Sequence, residues 1–106
     1  PAYAPESLTG FTAAGASIAL FTTGVGNSYV SALMPTVKLT GNPVTAARVT
    51  QQLELEASAV FKGEESLDEA ADRLADRLIE IASGALTWGE ILGEGDEVIS
   101  RFGAVL

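Results

Sequence analysis

Ser17-Ile18-Ala19-Leu20-Phe21-Thr22-Thr23-Gly24-Val25-Gly26-Asn27 is an apolar run that passes directly into hydroxyls and glycines. Residues 17–22 lack polar alternation, which predicts a strand covered on both faces, the habit of a parallel sheet flanked by helices. Gly24 and Gly26 then free the backbone to turn its N–H groups toward an anion. The Thr22 and Thr23 hydroxyls and the Asn27 amide stand beside them. Open α/β sheets place their ligands at this end of a strand, so the loop is the first candidate site. On composition alone, a glycine pair after a strand serves loop geometry more often than ligand binding.

Thr36-Val37-Lys38-Leu39-Thr40 alternates polar and apolar, which predicts a second strand with Val37 and Leu39 toward the core and Lys38 opposite. There Lys38 either protects a sheet edge or meets a substrate carboxylate, and burial that lowered its pKa would suit it to proton transfer. Gly41-Asn42-Pro43 stops the strand. Asn42 fits an N-cap, Pro43 the first helical position and residues 44–52 the helix body, whose leading N–H groups offer a second place for an anion. Leu53-Glu54-Leu55-Glu56 alternates again and predicts a third strand running on toward Val60 and Phe61. Glu54 and Glu56 share its outer face, where two carboxylates hold a divalent cation, work as an acid and base pair, or simply face solvent.

Ser66 with Glu69 makes a capping box ahead of Leu67, Ala71, Leu74, Leu78 and Ile81, an apolar stripe at helical spacing that Gly84 closes. The charges on the other face of that helix read as solvated, with Glu69 spaced to pair with Arg73. Thr87 with Glu90 repeats the box before Trp88, Ile91 and Leu92, and residues 98–102 predict a last strand. Near the start, Pro5 sits where a helix opens and Gly15 where it ends. This order predicts a small single α/β domain over residues 1–106, with helices packed on a mostly parallel or mixed sheet of about four strands.

Without cysteine or histidine the chain has no disulfide, no zinc site of the usual ligands, no thiol nucleophile and no histidine base. A net charge of −8 repels phosphate backbones and anionic membranes, so neither nucleic acid nor membrane is an expected partner. Residues 22–50 nevertheless contain no acid and include Lys38 and Arg48, so an anionic small molecule has a place to bind. No apolar run is long enough to span a bilayer and no basic-then-apolar leader opens the chain, which predicts a cytoplasmic protein.

Phe21-Thr22-Thr23-Gly24-Val25-Gly26, followed by Pro35-Thr36-Val37-Lys38-Leu39 and Asn42, resembles the signature of the C-terminal region of altronate and galactarate dehydratases, bacterial hydro-lyases of sugar acids. Residues 1–10 and Ala14-Gly15-Ala16 resemble the approach to it. Ala82-Ser83-Gly84, Thr87 with Glu90, and Gly103-Ala104-Val105 follow in family-like order, so the resemblance spans nearly the whole chain. It implies the C-terminal domain of a larger enzyme that removes water from a polyhydroxy acid to give a 2-keto-3-deoxy acid. It also implies Thr22, Thr23, Gly24, Gly26, Asn27 and Asn42 as substrate-binding residues and Lys38 and Glu54 as catalytic ones. The family has lysine at position 38 and tends to aspartate at 54. The implied ligand is a sugar acid, and no cofactor is expected within this domain. An upstream domain or partner subunit would bring the base and a divalent metal (iron, manganese or magnesium), so the domain alone is expected to be inactive. Val25 stands where the family usually carries arginine, which removes a bidentate carboxylate donor and leaves a different substrate open. One such alternative is the related branch that cleaves sulfonate from a hydroxy acid. From another class, the competing expectation is a non-catalytic assembly domain.

Overall fold

In the computed structural model, which describes residues 3–99, local sequence signals account for most element boundaries. Helix α1 (Ala4–Ala13) carries Pro5 in its first turn, where an N–H would lack a helical partner anyway. Strand β1 (Ala19–Thr22) leads through a long connection, in which β2 (Val30–Ser31) is embedded, to β3 (Thr36–Thr40). Asn42 caps α2 (Pro43–Arg48) by accepting the Val44 N–H, and a 3-10 turn (Thr50–Gln52) extends the segment to β4 (Leu55–Glu56). Then come α3 (Ser58–Lys62), α4 (Leu67–Ala82), α5 (Trp88–Leu92) and β5 (Gly95–Asp96). Both predicted capping boxes are formed, at Ser66 with Glu69 and at Thr87 with Glu90.

The α/β class is as expected, and the single sheet of about four strands is divided in two. Strand β3 lies between β1 and β4 in a three-stranded parallel sheet, with Phe21 beside Lys38 and Leu39 beside Leu55. Strands β2 and β5 pair separately, also parallel, with Val30 beside Gly95. Leu8, Ala19 and Met34 form a packed core against which Tyr29 leans.

Four local expectations are corrected. Strand β1 is covered on one face only: Ala19 is buried and Phe21 half-buried, but Leu20, beside Val37 on the other face, is 52% exposed and Thr22 is exposed too. The third strand does not reach Val60 and Phe61. Glu56 Oε1 accepts the Ser58 N–H at 2.6 Å, turning the chain into α3, which ends at Gly63 with φ 74°. Val98 and Ile99 are not in a strand, the rest of the predicted last strand lies outside the described residues, and the chain pairs earlier, at β5. Arg73 pairs with Glu65 at 2.7 Å and not with Glu69, whose carboxylate the capping box already holds.

The apolar stripe of α4 is only partly covered. Ile81 is buried, Leu74 and Leu78 are half-buried, and Leu67 is 76% exposed. Leu67 and Leu74 instead line, with Leu39, Leu55 and Phe61, an apolar groove of about 370 Å³.

Helix α5 crosses β2 at close range, and this contact needs a glycine. A Cβ on Gly89 would stand 2.5 Å from Val30 Cγ1, and Val30 is itself buried. Gly89→Ala is expected to destabilise the protein by about 2 kcal/mol, read by urea unfolding; wild-type stability would mean that the helix moves freely off the strand.

Candidate functional site

The polar face of β3 organises the site. Thr36, Lys38 and Thr40 alternate along one side of the strand and all are buried, Lys38 at 2% exposure. Each fastens a different point of the connection that crosses above them. Thr36 Oγ1 accepts the Ser31 N–H at 3.1 Å, Lys38 Nζ donates to the Ser28 carbonyl at 2.9 Å, and Thr40 Oγ1 donates to the Thr23 carbonyl at 2.6 Å.

Because β3 is the central strand, Lys38 does not guard an edge. Burial lowers its pKa below the ordinary lysine value, while the Glu94 and Glu54 carboxylates act in the opposite sense. Neither carboxylate forms a direct ion pair with it among the described residues. An ammonium has three donors, and the Ser28 carbonyl takes one of them.

Above Lys38, the loop from Thr22 to Asn27 is partly self-satisfied. The Thr23 N–H donates to the Leu39 carbonyl at 3.0 Å, the Gly26 N–H to Thr23 Oγ1 at 3.0 Å, and the Tyr29 N–H to Asn27 Oδ1 at 2.9 Å. The N–H groups of Gly24, Val25, Asn27 and Ser28 have no acceptor among the described residues. Thr22 is exposed at the end of β1. The Gly24 carbonyl accepts from Asn42 Nδ2 at 2.8 Å and Thr45 Oγ1 at 2.7 Å, which ties the loop to the start of α2. Next to it, Gly41, Asn42, Pro43 and Phe61 border a hollow of about 320 Å³.

Of the two loop glycines, Gly26 needs its lack of a side chain. It sits at φ 94°, and a Cβ there would approach Val49 Cγ2 to 3.4 Å, whereas nothing lies within 4 Å of a Cβ on Gly24. Gly26→Ala is expected to destabilise by about 1–2 kcal/mol and Gly24→Ala by less than about 0.5 kcal/mol, compared by urea unfolding. Equal effects would contradict this geometry.

Thr23 and Gly26 are joined by a hydrogen bond, as are Gly24 and Asn42, while Asn27 turns its side chain to the Tyr29 N–H and Lys38 reaches the loop at the Ser28 carbonyl. Asn42 has both ends of its amide engaged, one by Val44 and one by Gly24, so it links loop to helix. Glu54 and Glu56 do not act as a pair. Glu54 has a side chain only 1% exposed, with Oε1 accepting the Trp88 N–H at 2.7 Å and Oε2 meeting Arg77 at 3.2 Å. Glu56 is exposed, and hydrogen bonding from Ser58 holds its carboxyl below the usual range.

The family profile of the D-galactarate/altronate dehydratase C-terminal domain matches residues 1–105, which include every residue of this constellation. The chain belongs to this dehydratase family. It is also similar to a (2R)-sulfolactate sulfo-lyase subunit beta from Chromohalobacter salexigens, with 34% identity over 98 residues that cover 92% of this chain and 25% of that protein. The chain thus spans about a quarter of the length of that curated relative.

Within this dehydratase-family domain, two acidic residues matter that sequence reasoning missed. Glu97 accepts hydrogen bonds from the Thr9 hydroxyl and, at 2.8 Å, from Ser31 Oγ, clamping α1 to β2. Burial pushes its carboxyl up, but those bonds hold it below the usual range. Glu94 Oε2 is buried and has no hydrogen-bond partner among the described residues. No local pattern marks either residue. The described residues contain no group of three or more His, Cys, Asp or Glu side chains that could hold a metal ion. No described helix is long and apolar enough to cross a membrane.

Proposed function

We propose that this domain supplies substrate contacts to a cytoplasmic lyase that dehydrates a sugar acid of the altronate or galactarate type. The observation that carries the reading is buried Lys38, fastened beneath a loop whose Gly24, Val25, Asn27 and Ser28 amides lack acceptors, at the carboxyl end of a parallel strand. The substrate carboxylate would rest on those amides, flanked by Thr22, Thr23, Asn27 and Asn42, with Gly24 and Gly26 allowing close approach.

Removing the proton on C2 moves charge onto the carboxylate oxygens, so donors fixed there bind the transition state more strongly than the ground state. The C3–O bond then breaks, the hydroxyl leaves as water after taking a proton, and the enol relaxes to the 2-keto-3-deoxy acid. Lys38 is the group in this chain suited to hold or deliver that proton at Nζ, since burial brings its pKa down. Glu54, whose two oxygens are taken by Arg77 and the Trp88 N–H, would act on Lys38 at a distance through its charge. The base comes from the rest of a longer chain or a partner subunit.

The sulfo-lyase relative and the nonpolar Val25 favour a second reading, in which the same elimination expels sulfite from a sulfonated hydroxy acid. The apolar groove bordered by exposed Phe61 and Leu67 favours a third, in which the domain mediates assembly with the rest of the enzyme. The complete enzyme, offered altronate, galactarate and sulfolactate, separates them by release of 2-keto-3-deoxy acid or of sulfite. Thr23→Val is expected to lower kcat/KM about tenfold by removing the acceptor that shapes the loop. If Thr23→Val and Lys38→Ala both keep full turnover, the site assignment fails and the assembly reading stands.

A further inference from the structure

Helix α4 carries an apolar face that the rest of the domain leaves open. Leu67, Ala71, Ala75 and Ile79 follow one another at four-residue spacing, which sets them in one ridge along the helix, and all four are exposed. Leu67 and Ala71 continue into the groove of about 370 Å³, which Phe61 of α3, itself 81% exposed, also lines. Every side chain lining that groove is apolar, so an ion or a polyhydroxy acid finds no polar side chain there. Such a surface suits another polypeptide or a lipid.

Charge and shape choose among the occupants. Asp68, Asp72 and Asp76 form the next ridge of α4, are exposed, and make no ion pair among the described residues. The nearby cations are engaged: Arg73 is taken by Glu65 and the Glu56 carbonyl, and Lys62 helps hold the Glu56 carboxyl down. The acidic ridge repels an anionic membrane. A second copy fares no better, because a twofold contact uses the same patch twice and crowds together the aspartates of two chains that each carry a net charge of −8. From Leu67 to Ile79 the apolar ridge runs roughly 18 Å, a little over three helical turns, which is the seat of a second helix laid along the first.

We propose that this face seats an amphipathic helix from the preceding part of the same longer chain, with an apolar stripe toward Phe61, Leu67 and Ile79 and lysines or arginines toward Asp68, Asp72 and Asp76. The family profile describes a C-terminal domain, and this chain covers 25% of its sulfo-lyase relative, so family members have chain enough to supply that helix. The inference rests on the assembly reading above and names its partner. It is compatible with either substrate, because Leu39 lines the groove while Lys38, its neighbour in β3, faces the loop on the other side of the sheet.

The chain has no cysteine, so Ala71→Cys in the complete enzyme gives this domain a single thiol, placed on the seat. Maleimide labelling there, read by mass spectrometry of the peptide, is expected to run at least about a hundredfold slower in the folded enzyme than in urea. Adding Asp68→Lys and Asp72→Lys is expected to speed it about tenfold by setting like charges together. Labelling as fast as in urea overturns both the inference and assembly through this face. Protection that survives the charge reversal overturns the basic helix and leaves assembly standing. Protection lost on dilution identifies a second copy as the cover, and protection lost when residues 100–106 are deleted identifies the chain's own end; either result overturns the proposal.

Discussion

Lys38→Met in the complete enzyme is expected to lower kcat/KM by about a hundredfold or more. Methionine fills the space of the lysine stem but removes the charge and leaves the Ser28 carbonyl without its donor, so both proton handling and loop placement suffer. A stability measurement isolates the charge. Burial lowers the folded-state pKa of Lys38 below the unfolded value, with Glu94 and Glu54 opposing, so between those two values the unfolded chain binds more protons. Stability contributed by this residue therefore rises with pH from the lowered value up to the ordinary 10.5 and is level above it. Below that window the cost of burying the ammonium is present in full. Urea unfolding from neutral to alkaline pH should show the rise in the wild type and lose it in Lys38→Met. A variant that retains the rise would mean that Lys38 is solvated in the folded protein.

Glu54→Ala is expected to destabilise by about 3 kcal/mol, a large share of the roughly 5–15 kcal/mol typical of a whole domain. The substitution strands the first N–H of α5 at Trp88 and strips Arg77 of a buried partner. Arg77 keeps Glu80 and the Leu86 carbonyl after that loss, whereas Arg77→Ala would leave the buried Glu54 carboxylate with the Trp88 N–H alone, so a comparable cost is expected of it. Glu54→Gln separates the structural role from the electrostatic one, since the amide oxygen still accepts from Trp88 while the charge near Lys38 is gone. Near-native melting with reduced turnover supports the charge-partner role; near-native melting with full turnover removes it.

The sequence showed what local signals control. The capping boxes at Ser66 and Thr87, the Asn42-Pro43 helix start and the alternation across residues 36–40 each depend on neighbours a few positions apart, and each formed. Phe61 was misread because a short apolar run fits a strand or a helix equally, and a hydrogen bond donated by the Ser58 N–H to the Glu56 carboxylate decides between them. The roles of Glu54 and Glu97 were hidden for another reason. Their partners come from elements far along the chain, such as Trp88 for Glu54 and Thr9 for Glu97. Composition and family resemblance singled out the loop residues as candidates, but that three side chains of β3 pin the connection is visible only in the fold.

That pinning also protects the pairing of the central strand. Sliding β3 by one position would aim Val37 and Leu39 at the carbonyls and amide that Thr36, Lys38 and Thr40 now satisfy, and would drive an ammonium into the greasy groove beneath α4. Misaligned versions of this sheet are thus penalised twice, once on each side. An unusually polar interior strand is what keeps the chain from settling into the wrong alignment.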